Sequence, residues 1–336
     1  MRILFTFFVL LGTLSLAQQP DPLLSVNPNL QQKWVDSVYQ SLSLDQKIGQ
    51  LFTPMVFSKN DDDHFDEIKN LIEKYHIGGI IFSLGGPVKQ SQWLNEFQSL
   101  SKVPLMVSMD AEWGVAMRLD SVVAFPWSMT LGAIKDNDIV RKIGQRMGEQ
   151  EKVLGVHMSY APVLDINTNP QNPIIGNRSF GEDPERVAEK GVALMRGHHD
   201  VGILTSGKHF PGHGDTANDS HKTLPTVGFD RSRLQKIELL PFKKAIEQGL
   251  SSVMTAHLNV PALTLSKDPT SLSNRVVTEL LKQQIGFNGL AVTDALNMKG
   301  AEPVDSQTNM DLLALLAGND VLLISKDIPL GVEKIK

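Results

Sequence analysis

The sequence predicts an α/β protein folded as a parallel (β/α)8 TIM barrel, and three observations predict it. Eight short apolar stretches alternate with segments whose apolar residues recur at helical spacing. Each apolar stretch is too uniformly hydrophobic for a half-exposed antiparallel strand, and runs of that kind belong to parallel sheets buried on both faces. Strict alternation demands helical crossovers, and eight such units in about 300 residues fit a closed barrel better than an open sheet. No Gly-x-Gly-x-x-Gly follows the first strand, which weighs against a dinucleotide-binding sheet.

The chain opens on MRILFTFFVLLGTLSLAQQ, where Arg2 precedes an apolar run and the small residues Ser15 and Ala17 stand before Gln18. Residues 1–17 read as a secretory signal peptide cleaved after Ala17, so a secreted or periplasmic protein is expected. The run is short for a membrane span, which needs about 20 residues, and no later segment is long and apolar enough to cross a bilayer. A Pro/Asn/Gln-rich leader follows over residues 18–30, and the catalytic domain is expected over 31–336.

Ser43, with Gln46 at capping-box spacing, opens a helix over SLDQKIG, and Leu51 to Phe57 reads as the first strand. Ile68, Leu71, Ile72 and Tyr75 mark the next helix, followed by the strand IGGIIFS. Trp93, Leu94, Phe97 and Leu100 lead to PLMVSMD, and Ile139, Ile143 and Met147 to VHMSYAPVLD. Val187, Gly191, Leu194 and Met195 lead to GILTSGKHF, and Leu234, Ile237 and Phe242 to SSVMTAHL. RVVTELLKQQIG precedes GLAVTDALNM, and MDLLALLAG precedes DVLLIS. The chain then reaches IPLGVEKIK, roughly where an eighth helix should begin. This predicts either a last helix cut short or a barrel completed by a further C-terminal segment.

Composition narrows the chemistry. A net charge of −5 and a pI near 6.0 leave no basic footprint, so nucleic acid is not the expected partner. The absence of cysteine excludes disulfides, thiolate nucleophiles, cysteine-based zinc sites and an acylated lipoprotein anchor.

In a barrel, chemistry is carried by the C-terminal strand ends and the loops after them. The third strand ends in Asp110, followed by Glu112 and Arg118. The fourth ends in Asp165, followed by GNRSFGEDP with Arg178. The fifth ends in Lys208 and His209, the sixth in His257 and Asn259, and the seventh in Asp294. A buried strand ending in a charge is costly unless that charge is paired or used. Five strands doing so at one end predict a polar pocket, with Asp165 and Glu112 the first candidates for structural pairs at the rim.

The densest polar stretch is KHFPGHGDTANDSHKTLP, residues 208–225. His209 and His213 have the i, i+4 spacing of zinc-binding helices, but Pro211 and Gly212 between them prevent a regular helix. A loop site at His213, Gly214 and Asp215 is the remaining metal reading, and no metal is expected. Glycoside cleavage needs a nucleophile and a proton donor. Asp294, fixed at a strand end, suits the first role. Asp219 and His221, one residue apart in a loop, suit the second, because a carboxylate favours imidazolium and fixes its tautomer. An Asx-type turn with an exposed histidine explains the same spacing, which leaves both readings open.

KHFPGHGDT…DSH, with GNRSFGEDP upstream and TDALNM downstream, resembles the β-N-acetylglucosaminidase branch of glycoside hydrolase family 3. The resemblance runs in the same order from about SLDQKIGQLF to GNDVLLIS. It implies a (β/α)8 barrel and a retaining, two-step reaction that uses no metal or other cofactor. It implies Asp294 as nucleophile, His221 as acid/base paired with Asp219, and Asp110, Arg118, Arg178, Lys208 and His209 as sugar contacts. His213 and Asp215 match loop scaffold.

The implied substrate is terminal β-linked N-acetylglucosamine, in muropeptides or chito-oligosaccharides. Phosphorolysis at the same site and a non-catalytic sugar-binding barrel are the alternatives. Members of the branch can carry additional C-terminal domains. DAEWGVAMR departs from the usual Asp-Gln-Glu-Gly-Gly-Arg pattern and is expected to set Trp113 beside the pocket.

Overall fold

The computed structural model describes residues 26–217, 220, 223–303 and 308–336. The signal peptide and residues 18–25 of the leader lie outside the described residues. Helix α1, Pro28–Ser41, begins before the leader was expected to end. The Asn27 side chain accepts from Leu30 N at 3.1 Å, and Pro28 supplies a preset φ at the helix start. The expected capping box forms on α2, Leu44–Gly49, between Ser43 and Gln46.

Eight parallel strands follow. β1 runs in two pieces, Phe52–Thr53 and Met55–Val56. Next come β2, Gly79–Phe82, β3, Met106–Met109, β4, Met158–Ser159, and β5, Leu204–Phe210. The last three are β6, Ser252–Thr255, β7, Leu290–Thr293, and β8, Leu322–Leu323. Neighbours in sequence pair in parallel from β1 to β7. β8 pairs with the first piece of β1, and a Val292–Val321 bridge joins the β7 and β8 segments, so the ring closes.

Helices cover the outside in the expected alternation. α3, Asp62–Asn70, α4, Pro87–Leu100, and α5, Ser128–Gly132, with α6, Asn137–Val153, cross the first half. α7, Pro184–Asp200, α8, Arg231–Lys236, and α9, Leu240–Glu247, continue the layer. RVVTELLKQQ forms a helix with π-type hydrogen bonding over Arg275–Gln284, and α10 spans Met310–Ala317. After β8, the stretch where an eighth helix was expected to begin is helical. This is α11, Ile328–Ile335, capped by Asp327, whose side chain accepts from Leu330 N at 2.9 Å. Among the described residues, no helix is long and apolar enough to cross a membrane.

The barrel interior is a packed core of Ile81, Met158, Tyr160, Met254, Val292 and Leu323. Larger clusters lie between strands and helices, one containing Phe52, Phe82 and Phe97, the other Phe210, Phe242 and Leu281. Side chains alternate across a strand, so every second residue faces the interior. Met106, Leu204 and Leu290 pack on the interior cluster. Four residues further along, the same parity brings Asp110, Lys208 and Asp294 to the C-terminal mouth.

Candidate active site

A cavity of about 520 Å³ occupies that mouth, and Asp110, Lys208 and Asp294 all line it. Lys208 is 2 % exposed, yet its ammonium lies 2.8 Å from both Asp110 Oδ1 and Glu112 Oε1. Arg118 pairs with the other Asp110 oxygen. Arg178 grips Glu112 through two bonds, Nε to Oε2 at 2.9 Å and Nη2 to Oε1 at 2.8 Å. The bidentate geometry sets the guanidinium plane as well as neutralising charge. Burial would raise the pKa of both carboxyls. The ammonium and guanidinium charges overcome this, holding Asp110 well below its ordinary value and Glu112 down to about 2.

Arg178 Nη2 also lies 3.2 Å from His209 Nε2. A guanidinium can only donate, so Nε2 accepts and the ring hydrogen sits on Nδ1, which donates to Asp165 Oδ2 at 2.6 Å. Asp165 is buried and also accepts the backbone N–H of His209 at 3.1 Å and of His213 at 2.6 Å. Burial would raise its pKa, but the two histidines and these bonds lower it. Asp165 therefore ties β5 and the following turn to the strand-end beside them, and Glu112 joins two cationic sugar-contact candidates. Both act as the structural pairs anticipated for them.

An Asp165→Asn substitution retains one acceptor oxygen and turns an N–H toward donors. It is expected to destabilise the fold by about 1–3 kcal/mol, measured by denaturant titration, and to raise KM by releasing His209.

The His209 and His213 rings lie 5.9 Å apart and nearly perpendicular. His213 Nδ1 meets Thr216 Oγ1 at 2.6 Å and its Nε2 meets Ser220 Oγ at 3.1 Å. Burial and the neighbouring His209 push its pKa down to about 4, so the ring is neutral at neutral pH. Every ring nitrogen of the pair thus has a protein partner. Among the described residues, no group of three or more His, Cys, Asp or Glu is arranged to hold a metal ion. Asp215 accepts from Thr168 Oγ1 at 2.9 Å, which pins the loop rather than facing the cavity.

Asp294 is partly open to the cavity, and its Oδ1 accepts the Ala295 N–H at 2.8 Å. Burial by surrounding protein would raise its pKa. The neighbouring His209 and His257 rings, the Ala295 N–H and the Lys208 ammonium outweigh that and hold it below the ordinary carboxylate value. The group is therefore an anion at neutral pH, fixed at a strand end and aimed into a cavity. Asp219 and His221 lie outside the described residues. Ser220, between them in sequence, lines the cavity, and its carbonyl accepts from Gly300 N at 3.0 Å.

Two expectations change. Trp113 does not line this cavity but stacks on Trp127, with ring centroids 4.3 Å apart and planes at 11°. The chain turns at Gly114 with φ +80°, a conformation that suits glycine. Asn259 is half-buried, donates to Thr226 Oγ1 at 3.0 Å and does not line the cavity.

Sequence reasoning also missed Asn172. Its Oδ1 accepts from Ile174 N and Ile175 N, and its Nδ2 donates to the His213 carbonyl, all at 2.8 Å. It locks the Arg178 loop to the His213 turn. The only signal was an asparagine in a Pro/Asn-rich loop, where such residues are common.

The profile for the glycosyl hydrolase family 3 N terminal domain matches residues 43–335. The chain is 34% identical over 282 residues to "Beta-hexosaminidase A" of Pseudoalteromonas piscicida, a match covering 77% of this chain and 47% of that protein. A family 3 β-N-acetylglucosaminidase from Paenibacillus sp. superposes with a TM-score of 0.80 at 38% identity, over 88% of this chain and 57% of that one. A β-glucoside phosphorylase bound to 2FGlc superposes with a TM-score of 0.84 at 25% identity, over 91% of this chain and 56% of that one. The chain thus spans about half the length of these relatives. With nearly its whole length matched in sequence and in fold, the chain belongs to glycosyl hydrolase family 3, as its N terminal domain.

Proposed function

We propose that the protein is an exported, retaining exo-β-N-acetylglucosaminidase. It removes terminal β-linked N-acetylglucosamine from peptidoglycan fragments or chito-oligosaccharides. The observation that carries the reading is Asp294: an ionised carboxylate with one oxygen tethered to a backbone N–H, in a cavity walled by Asp110, Lys208 and Arg178. The similarity to hexosaminidases supports the choice of sugar.

In the first step an Asp294 oxygen forms a bond to the anomeric carbon while the bond to the leaving oxygen breaks. His221, oriented by Asp219, gives that oxygen its proton. In the second step water attacks the same carbon, His221 takes the water proton, and the bond to Asp294 breaks with net retention. Asp110 and Lys208, already paired in the free protein, present charged acceptors and donors to the sugar hydroxyls. Bonds that tighten as positive charge develops on the sugar ring lower the barrier rather than only the KM. The Ser220 contact with the cavity supports placing the acid/base loop there.

Release of the chromophore from an aryl β-N-acetylglucosaminide tests the activity, and rates on a muropeptide and on chitobiose tell the two substrate classes apart. No release by the folded, full-length protein would overturn the reading.

Phosphorolysis is the second reading, favoured by the superposition on a β-glucoside phosphorylase. A histidine acid/base repels phosphate less than a carboxylate would. Under hydrolysis, product analysis in concentrated phosphate is expected to give free sugar only. Accumulation of N-acetylglucosamine 1-phosphate would replace hydrolysis by phosphorolysis.

A further inference from the structure

Behind Asp294 lies a buried polar network that the scheme above does not use. His257 follows β6 and is fully buried. Its Nε2 lies 3.1 Å from the Ala295 carbonyl oxygen, and its Nδ1 lies 2.7 Å from Ser271 Oγ. A carbonyl only accepts, so Nε2 carries a hydrogen, and in the neutral ring Nδ1 accepts from the Ser271 hydroxyl. Ser271 is itself anchored: its N–H donates to the Ala256 carbonyl at 3.1 Å, and its carbonyl accepts from Asn319 Nδ2 at 2.8 Å. Asn319 Oδ1 accepts from Thr255 Oγ1 at 2.8 Å, which returns the network to β6.

The network holds one particular peptide unit. The Ala295 carbonyl and the Leu296 N–H belong to a single plane. His257 holds the carbonyl, and the N–H donates to the Leu323 carbonyl on β8 at 2.9 Å. On the other side, Asp294 N–H donates to the Thr255 carbonyl on β6 at 2.9 Å. Between these fixed points, the Ala295 N–H reaches Asp294 Oδ1. The Ala295 N–H sits in the preceding peptide unit, hinged to the held one at the Ala295 Cα. A swing of a released Ala295 carbonyl would shift that Cα and carry the N–H away from the carboxylate.

We propose that His257 is a positioning residue for the Asp294 carboxylate: by holding the Ala295 carbonyl it aims the Ala295 N–H at Oδ1 and leaves the second oxygen for the sugar. The inference rests on Asp294 acting as the nucleophile.

The test compares His257→Phe, which fills the space without a donor, with His257→Gln, which keeps an amide N–H able to reach the carbonyl. On an aryl β-N-acetylglucosaminide, His257→Phe is expected to lower kcat by about 10- to 100-fold with KM within about threefold, the scale of a nucleophile displaced by a fraction of an ångström. His257→Gln is expected to restore kcat to within about fivefold of the wild type. Equal losses in both variants, or a rise in KM at unchanged kcat, would overturn the positioning role.

Should His257→Phe fail to fold, Ser271→Ala decides. It removes the bond that orients the ring and is expected to lower kcat about two- to fivefold, so an unchanged kcat also overturns the proposal. A readout independent of turnover is 15N NMR of histidine-labelled wild-type protein, assigned against His257→Gln. A hydrogen on Nε2 is expected, and a bare Nε2 would overturn the proposal even in an active enzyme. An inactive wild type with the expected Nε2 hydrogen would count against the proposed function and leave the hydrogen-bond geometry standing.

Discussion

Asp294→Ala is expected to lower kcat on an aryl β-N-acetylglucosaminide by about 10⁴-fold or more while leaving KM within an order of magnitude, the pattern of a group used only in bond making. The cause is specific to the site. Asp294 is the one carboxylate among those lining the cavity that pairs with no lysine or arginine at hydrogen-bonding distance among the described residues. Asp110 and Glu112 are both engaged in that way. An engaged carboxylate is a poor nucleophile, whereas Asp294 is held by a backbone N–H alone at one oxygen.

Folding should survive, because the alanine removes no buried apolar contact and leaves Lys208 paired with Asp110 and Glu112. Azide added to the variant is expected to restore turnover and give the α-glycosyl azide, since a small anion fits the vacated space and attacks the face Asp294 would have used. Undiminished turnover in Asp294→Ala would remove the nucleophile assignment.

Lys208→Met should have the largest effect on stability, a loss of about 3–5 kcal/mol by denaturant titration at pH 7. The ammonium is buried and bridges two carboxylates that are themselves largely buried. Without it, Arg118 and Arg178 alone face Asp110 and Glu112. The pH dependence follows from the sign of the shifts. Both carboxyls have folded-state pKa values below those of the unfolded chain, with Glu112 near 2. Their contribution to stability is complete above about pH 4–5 and is lost as pH falls toward the folded values. The variant lacks the Lys208 share of that depression, so its carboxyls protonate at higher pH. Its deficit should be largest at neutral pH and shrink below about pH 4. A deficit that stays constant between pH 7 and pH 4 would mean that packing, not the ammonium charge, is what Lys208 contributes.

Much of this site was legible because strands have a period of two. Apolar runs that end in Asp110, Lys208 and Asp294 announce both a buried strand and a polar end, and the barrel puts all such ends at one mouth. Helix signals were legible for a similar reason: Ser43 with Gln46 is a local motif, and the capping box forms where the spacing puts it.

Partners distant in sequence were not legible. Nothing in the spacing of Glu112 and Arg178, 66 positions apart, says that they form a bidentate pair. Nothing in EWG says that Trp113 turns away to stack on Trp127. Nor does the helical periodicity of RVVTELLKQQ distinguish α from π hydrogen bonding, which differs by one residue in register.

By itself the sequence determined the barrel, the order of its strands and the residue types at their C-terminal ends, because those depend on local periodicity and on the burial of apolar runs. Only the tertiary structure decided which charges neutralise one another, which histidine nitrogens carry hydrogens and which carboxylate is left for chemistry. Those outcomes depend on contacts between β3, β5 and β7 and their loops. In a buried site the interaction of two charges turns on ångström distances and on the water excluded between them, which no spacing along the chain encodes.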